Sequence, residues 1–157
     1  MRGPMSWTTD RRRLLVGGAA LIVLTPRRAL AVARPPREPT AAAIRRFAGE
    51  AEIRPGRVHL DLPPLVENGN AVPLAVSVDS PMSATDFVRR IAVFNDKNPQ
   101  PNVITVHLGP KAGRAAITTR IRLADTQTVT AIAELSDGSY WSATADAIVT
   151  LAACVEG

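Results

Sequence analysis

One cysteine, two histidines and no apolar run long enough to cross a bilayer occur in these 157 residues, and each shortage removes a class of function. A single thiol, Cys154, leaves no internal disulfide to staple the fold. His59 and His107 fall in separate strand patterns with no Cys or His at ligand spacing, so surface or sheet positions are expected and a metal is not. No Ser/His/Asp grouping, glycine-rich phosphate loop or carboxylate pair has usable spacing. A self-sufficient enzyme is thereby disfavoured, and no cofactor is expected.

An excess of basic charge is also missing once the N-terminus is set aside. Asp10-Arg11-Arg12-Arg13-Leu14-Leu15 places the pair Arg11 and Arg12 ahead of leucines, and Val16 to Leu24 follows without a charge. That run is short of the roughly 20 residues a membrane helix needs. Ala29-Leu30-Ala31 is a small-x-small site for a signal peptidase. The pattern predicts a twin-arginine signal over residues 1–33, cut after Ala31 or Ala33, and export through the twin-arginine translocase to the periplasm. An uncleaved N-terminal anchor is the alternative. Six of the nineteen Lys and Arg and one of the fourteen acids precede residue 32, which leaves 13 of each sign and no net charge. The basic character belongs to the leader, so neither a nucleic acid nor an anionic membrane is expected as partner, and no stable membrane span in the mature form. The remainder, about 124 residues, suffices for one domain that buries roughly two-thirds of its unfolded surface without disulfides.

Residues 34–39, Arg34-Pro35-Pro36-Arg37-Glu38-Pro39, read as a stiff, exposed leader. Thr40 has the character of an N-cap, and Ala41 to Glu50 carries Ile44, Phe47 and Ala48 at helical spacing, with Arg45 and Arg46 on a solvated face. From Val58 the period becomes two. Val58–Leu62, Val72–Val78, Val88–Phe94, Val103–Leu108, Ala115–Leu123, Thr128–Leu135 and Tyr140–Leu151 are predicted strands, separated by turn signals such as Glu67-Asn68-Gly69-Asn70 and Ser136-Asp137-Gly138-Ser139. Seven short strands at this spacing predict an all-β fold, an antiparallel immunoglobulin-like sandwich of residues 40–151. Asp137-Gly138 predicts a tight hairpin before the last strand, where Tyr140 and Trp141 point to opposite faces. Arg89-Arg90 and Arg120/Arg122 read as solvated strand faces, and Met82 as loop packing.

Residues 152–157 remain. If the last strand ends near Leu151, Cys154 stands three residues beyond the sheet, and its sulfur extends on the order of 10 Å from the body. A lone thiol in an oxidising compartment is a buried apolar filler, a handle for another chain or a reactive attachment point. Small Ala152 and Ala153 suit threading through a narrow opening, although Ala-Ala-Cys-Val could equally continue the strand with the cysteine packed.

Val66-Glu67-Asn68-Gly69-Asn70-Ala71-Val72-Pro73, Val76-Ser77-Val78-Asp79-Ser80-Pro81-Met82, Lys97-Asn98-Pro99-Gln100-Pro101, Thr119-Arg120-Ile121-Arg122-Leu123-Ala124-Asp125 and Ser136-Asp137-Gly138-Ser139-Tyr140-Trp141 together resemble SoxY, the carrier subunit of bacterial thiosulfate oxidation. The resemblance covers nearly the whole mature chain. It implies an immunoglobulin-like sandwich, a heterodimer with a SoxZ-like subunit, and a non-catalytic role in which Cys154 covalently holds a sulfur intermediate on a swinging arm of Ala152, Ala153, Val155 and Glu156. It also makes Thr119, Arg120 and Arg122 candidates for the subunit contact. SoxY proper ends in a Gly-Gly-Cys-Gly-Gly arm, whereas Ala152-Ala153-Cys154-Val155-Glu156-Gly157 resembles the Ala-Ala-Cys-Ile-Glu arm of SoxY-related paralogs. Those paralogs accompany periplasmic quinoprotein dehydrogenase systems. The arm is expected to be stiffer than a glycine arm, and Glu156 with the terminal carboxylate to raise the thiol pKa. The other function class is an immunoglobulin-like interaction module for a periplasmic quinoprotein dehydrogenase, with the cysteine incidental.

Overall fold

A computed structural model of the chain describes residues 36–153, so the leader with Arg11 and Arg12, and Cys154, Val155 and Glu156, lie outside the described residues. Within them one α-helix, Thr40–Ala48 (α1), precedes nine strands, with a single 3-10 turn at Pro110–Ala112 between the sixth and seventh: Ile53–Pro55 (β1), Val58–Asp61 (β2), Leu65–Val66 (β3), Val72–Val78 (β4), Val88–Asn95 (β5), Asn102–His107 (β6), Ala116–Ile121 (β7), Gln127–Leu135 (β8) and Tyr140–Val149 (β9). The larger sheet has the order β1-β9-β8-β5-β6 with β3 added beside β9, and the smaller is β2-β4-β7. This is the expected all-β sandwich.

Alternation in β4 buries Val72, Leu74, Val76 and Val78 against the facing sheet, while Pro73, Ala75 and Ser77 stay accessible. Val88, Ile91, Val93, Val129, Ala131 and Leu135 complete that inter-sheet core together with Leu123. β5 departs from alternation because it is covered on both sides, and Ile91 through Asn95 are all buried. Its outer face meets α1, where Ala43, Phe47 and Ala48 pack on Ala92, Phe94 and Ile132. Phe47 lies edge-on to Phe94 and Tyr140, with ring centres 5.9 and 6.0 Å apart. Tyr140 thus belongs to the helix side of the sheet and Trp141 to the inter-sheet side, as opposite faces require.

Several local expectations are corrected. The N-cap of α1 is Pro39, whose carbonyl accepts from Ala42 and Ala43, so Thr40 is already helical. The Thr40 hydroxyl instead donates to the Asn95 carbonyl at 2.9 Å. Arg90 is not on a solvated face: its guanidinium pairs with Glu134, lies 4.5 Å from the centre of the Phe47 ring and donates to the Phe47 carbonyl. No correction applies to residues 36–39, the described part of the proline-rich stretch, where Pro36, Arg37 and Pro39 are exposed, Arg37 Nε donates to the Asn98 carbonyl at 2.7 Å and Glu38 pairs with Arg46. β1 and β3 have two or three residues each, too few for a period to show, and both run parallel to β9. β9 ends at Val149, two residues before the predicted end.

The predicted hairpin forms with Gly138 at φ +84°. Asp137 accepts from the Ser139 hydroxyl at 2.7 Å and the Ser139 amide at 2.9 Å, and these bonds, the hydroxyl first, hold its carboxyl below the ordinary aspartate value.

Candidate functional site at the base of the cysteine tail

Because the lone thiol follows Ala153, the geometry that matters is how the body delivers the chain to that residue. β9 is held by β3 to its end. The Ile148 amide donates to the Pro64 carbonyl and the Thr150 amide to the Val66 carbonyl, each at 2.9 Å, and the Thr150 hydroxyl donates to the Glu67 carbonyl at 3.2 Å. Beyond Thr150 the sheet ends but the hydrogen bonding does not. Gly69 donates to the Leu151 carbonyl (2.8 Å), Leu123 donates to the Gly69 carbonyl (2.8 Å), and Ala153 donates to the Leu123 carbonyl (3.0 Å). Ala152 is exposed and Ala153 is buried. The three free residues counted from Leu151 are therefore not free as far as Ala153, which stands held immediately before Cys154.

A second layer fixes Leu123. The Asn98 side chain donates to the Arg122 carbonyl (2.7 Å) and accepts from the Ala124 amide and from Gln127 Nε2, both at 3.0 Å. Gln127 is buried, and its Oε1 accepts from the Lys97 amide at 2.8 Å. Gly69, Asn98 and Leu123, from three loops, and Gln127 at the start of β8 thus converge on the base of the tail. Sequence reading placed Asn68-Gly69-Asn70 in a turn, and Asn68 Oδ1 does accept from the Asn70 amide at 2.9 Å. Nothing local marked Gly69 as the residue that the C-terminal segment crosses, because that contact spans more than eighty residues.

Beside the same base, Leu65 and Ile148 are register partners on β3 and β9, and with Leu151 they are the large apolar side chains left exposed among the described residues, at 58%, 57% and 60%. The other residues singled out from sequence lie elsewhere. His59 is exposed and pairs with Asp79 at 2.9 Å, and His107 is exposed on β6. Among the described residues no three His, Cys, Asp or Glu are placed to hold a metal ion. Arg120 and Arg122 are exposed and Thr119 is half-buried on or beside β7, an edge of the smaller sheet. Met82 is buried loop packing whose sulfur accepts from the Val88 amide at 3.4 Å.

The model of the family described as sulfur oxidation protein SoxY matches residues 44–154, from the helix through the terminal cysteine. The chain belongs to the SoxY family. The sulfur carrier protein SoxY from Chlorobium limicola f thiosulfatophilum is similar in structure, with 23% identity, a TM-score of 0.60, and coverage of 71% of this chain and 96% of that one. A superoxide reductase (neelaredoxin) from Ignicoccus hospitalis has 19% identity and a TM-score of 0.54, covering 60% of this chain and 80% of its own. At such identities the likeness concerns the sandwich alone. No match is found among curated proteins. Within this SoxY-family chain, the stretches that build the tail base are among those that carried the resemblance.

Proposed function

We propose that this SoxY-family protein is a periplasmic, non-catalytic carrier that holds a sulfur-containing intermediate covalently on Cys154 and presents it to partner enzymes, as a heterodimer with a SoxZ-like subunit. The observation that carries the reading is the family match running through Cys154, on a body that anchors the chain up to the residue before it. Attaching a sulfur anion through a new S–S bond releases the thiol proton and two electrons. A partner oxidoreductase has to accept those electrons, which agrees with a carrier in place of an enzyme. The exposed Leu65, Ile148 and Leu151 beside the tail support a protein partner there. The twin-arginine leader supports the periplasm, and no helix among the described residues is long and apolar enough to cross a membrane.

A second reading is favoured by one feature. The tail lacks the glycines that flank the cysteine in SoxY proper, which suits an interaction module of a quinoprotein dehydrogenase system with the cysteine incidental. Mass spectrometry separates the two. Incubated with thiosulfate and the partner enzymes, the protein should gain mass on Cys154, and Cys154→Ser should abolish the gain. A chain that never gains mass under pathway conditions, while Cys154→Ser retains full pathway activity, is the interaction module.

A further inference from the structure

Gly69 is buried where three chain segments cross. Its φ is not in the left-handed region, so the turn does not require a glycine. Proximity does. A Cβ built there would stand 2.8 Å from the Ala153 amide nitrogen and closer still to the Leu123 carbonyl oxygen, whereas real Cβ atoms essentially never come within 3.0 Å of another heavy atom. The crowding atoms are backbone, so no side chain can rotate away to make room.

We propose that Gly69 is a positioning residue for Cys154: its bare backbone closes a clip on Leu151 and Leu123 that fixes the point at which the thiol leaves the body. The inference rests on Cys154 as the attachment site and adds where that site is presented. With the clip closed, the Cys154 α-carbon lies one step, about 3.8 Å, from a fixed one. With it open, the next hold is Thr150, bonded to Val66 and Glu67. Four steps then separate anchor and thiol, up to about 14 Å, and the thiol explores on the order of tens of times more volume. An enzyme that finds its substrate near the loop of residues 67–70 meets a preset sulfur in the first case and a diluted one in the second.

Because Cys154 is the one cysteine, a nitroxide attached to it reports the answer with no further engineering. In the unsubstituted protein, paramagnetic broadening should concentrate on the amides of residues 67–70 and 122–125, and the Gly69 and Leu123 amides should be protected from hydrogen exchange. In Gly69→Ala the broadening should spread and those two amides should exchange at least tenfold faster, while amides in the middle of β5 and β8 keep their protection. Ala153→Pro removes the donor to Leu123 from the tail side, turns its ring carbon toward the Leu123 carbonyl and leaves Gly69 bare, so it should spread the broadening as well, and it serves if Gly69→Ala does not fold. Broadening that is diffuse in the unsubstituted protein, or unchanged in both variants, overturns the inference. Neither measurement uses cargo or enzyme, so the mass gain on Cys154 can fail while the clip stands, and the clip can fail while the mass gain stands.

Discussion

Replacing Asn98 by alanine removes the brace behind Leu123, and the loss can be reckoned bond by bond. Its side chain bonds the Arg122 carbonyl, the Ala124 amide and Gln127 Nε2. Each such bond contributes about 0.5–1.5 kcal/mol net, and a buried group left without a partner costs about 1–3 kcal/mol. Arg122 is exposed and Ala124 half-buried, so water can replace Asn98 there. Gln127, 5% exposed, has little access to water but keeps the Asp125 carbonyl as an acceptor at 3.1 Å. The expected cost is about 2–3 kcal/mol, toward the middle of the summed range. For a domain of this size that corresponds to a fall in Tm of about 6–15 °C. Urea unfolding followed by circular dichroism should show a lower midpoint at an unchanged m-value. Asn102→Ala is the control, because among the described residues the Asn102 side chain bonds only Thr105 and its loss should cost less than about 1 kcal/mol. A loss for Asn98→Ala no greater than that of the control would refute the account of this brace.

Two further outcomes follow from the surface. Ile148→Ser should leave the stability of the chain within about 0.5 kcal/mol, because the side chain is 57% exposed, yet weaken binding to the SoxZ-like subunit by about tenfold. Isothermal titration showing equal affinity would remove the apolar trio from the interface. Asp137 has a folded pKa below its unfolded one, so its contribution is fully present above the ordinary aspartate value and is lost as pH falls through the depressed folded value. Asp137→Asn should therefore flatten the acid limb of the urea midpoint against pH and leave its shape at neutral pH unchanged, and an acid limb identical to that of the parent refutes the assignment.

The larger pattern was legible because alternation is a local property. β4 buries every second residue, and the period that announces it is the one that packs it. Gly138 likewise showed in the sequence, since a positive φ restricts residue choice within a single turn. Arg90 was misread for the opposite reason. Its neighbours Glu134 and Phe47 are more than forty residues away in either direction, and only the docking of α1 on β5 and β8 makes that strand face an interior. The same limit applies to the tail base. Cys154 stood out by its rarity, but the residues that deliver it, Gly69, Asn98 and Leu123, are ordinary loop residues until three distant segments meet.

The order of strands has a consequence for how the chain is made. β9 lies between β8 on one side and the early strands β1 and β3 on the other. Until a ribosome has released this final ribbon, the edge of β8 has no neighbour and Ile53 to Pro55 and Leu65 to Val66 have nothing to lie along. Such long-range pairing is slow to form, and it couples the first part of the domain to the last. A polypeptide lacking β9 keeps the partners for β5 with β6 and β8 and for β4 with β2 and β7 but leaves β1 and β3 without a neighbour, which makes the completed larger sheet a built-in record that synthesis has reached the residues leading to the thiol.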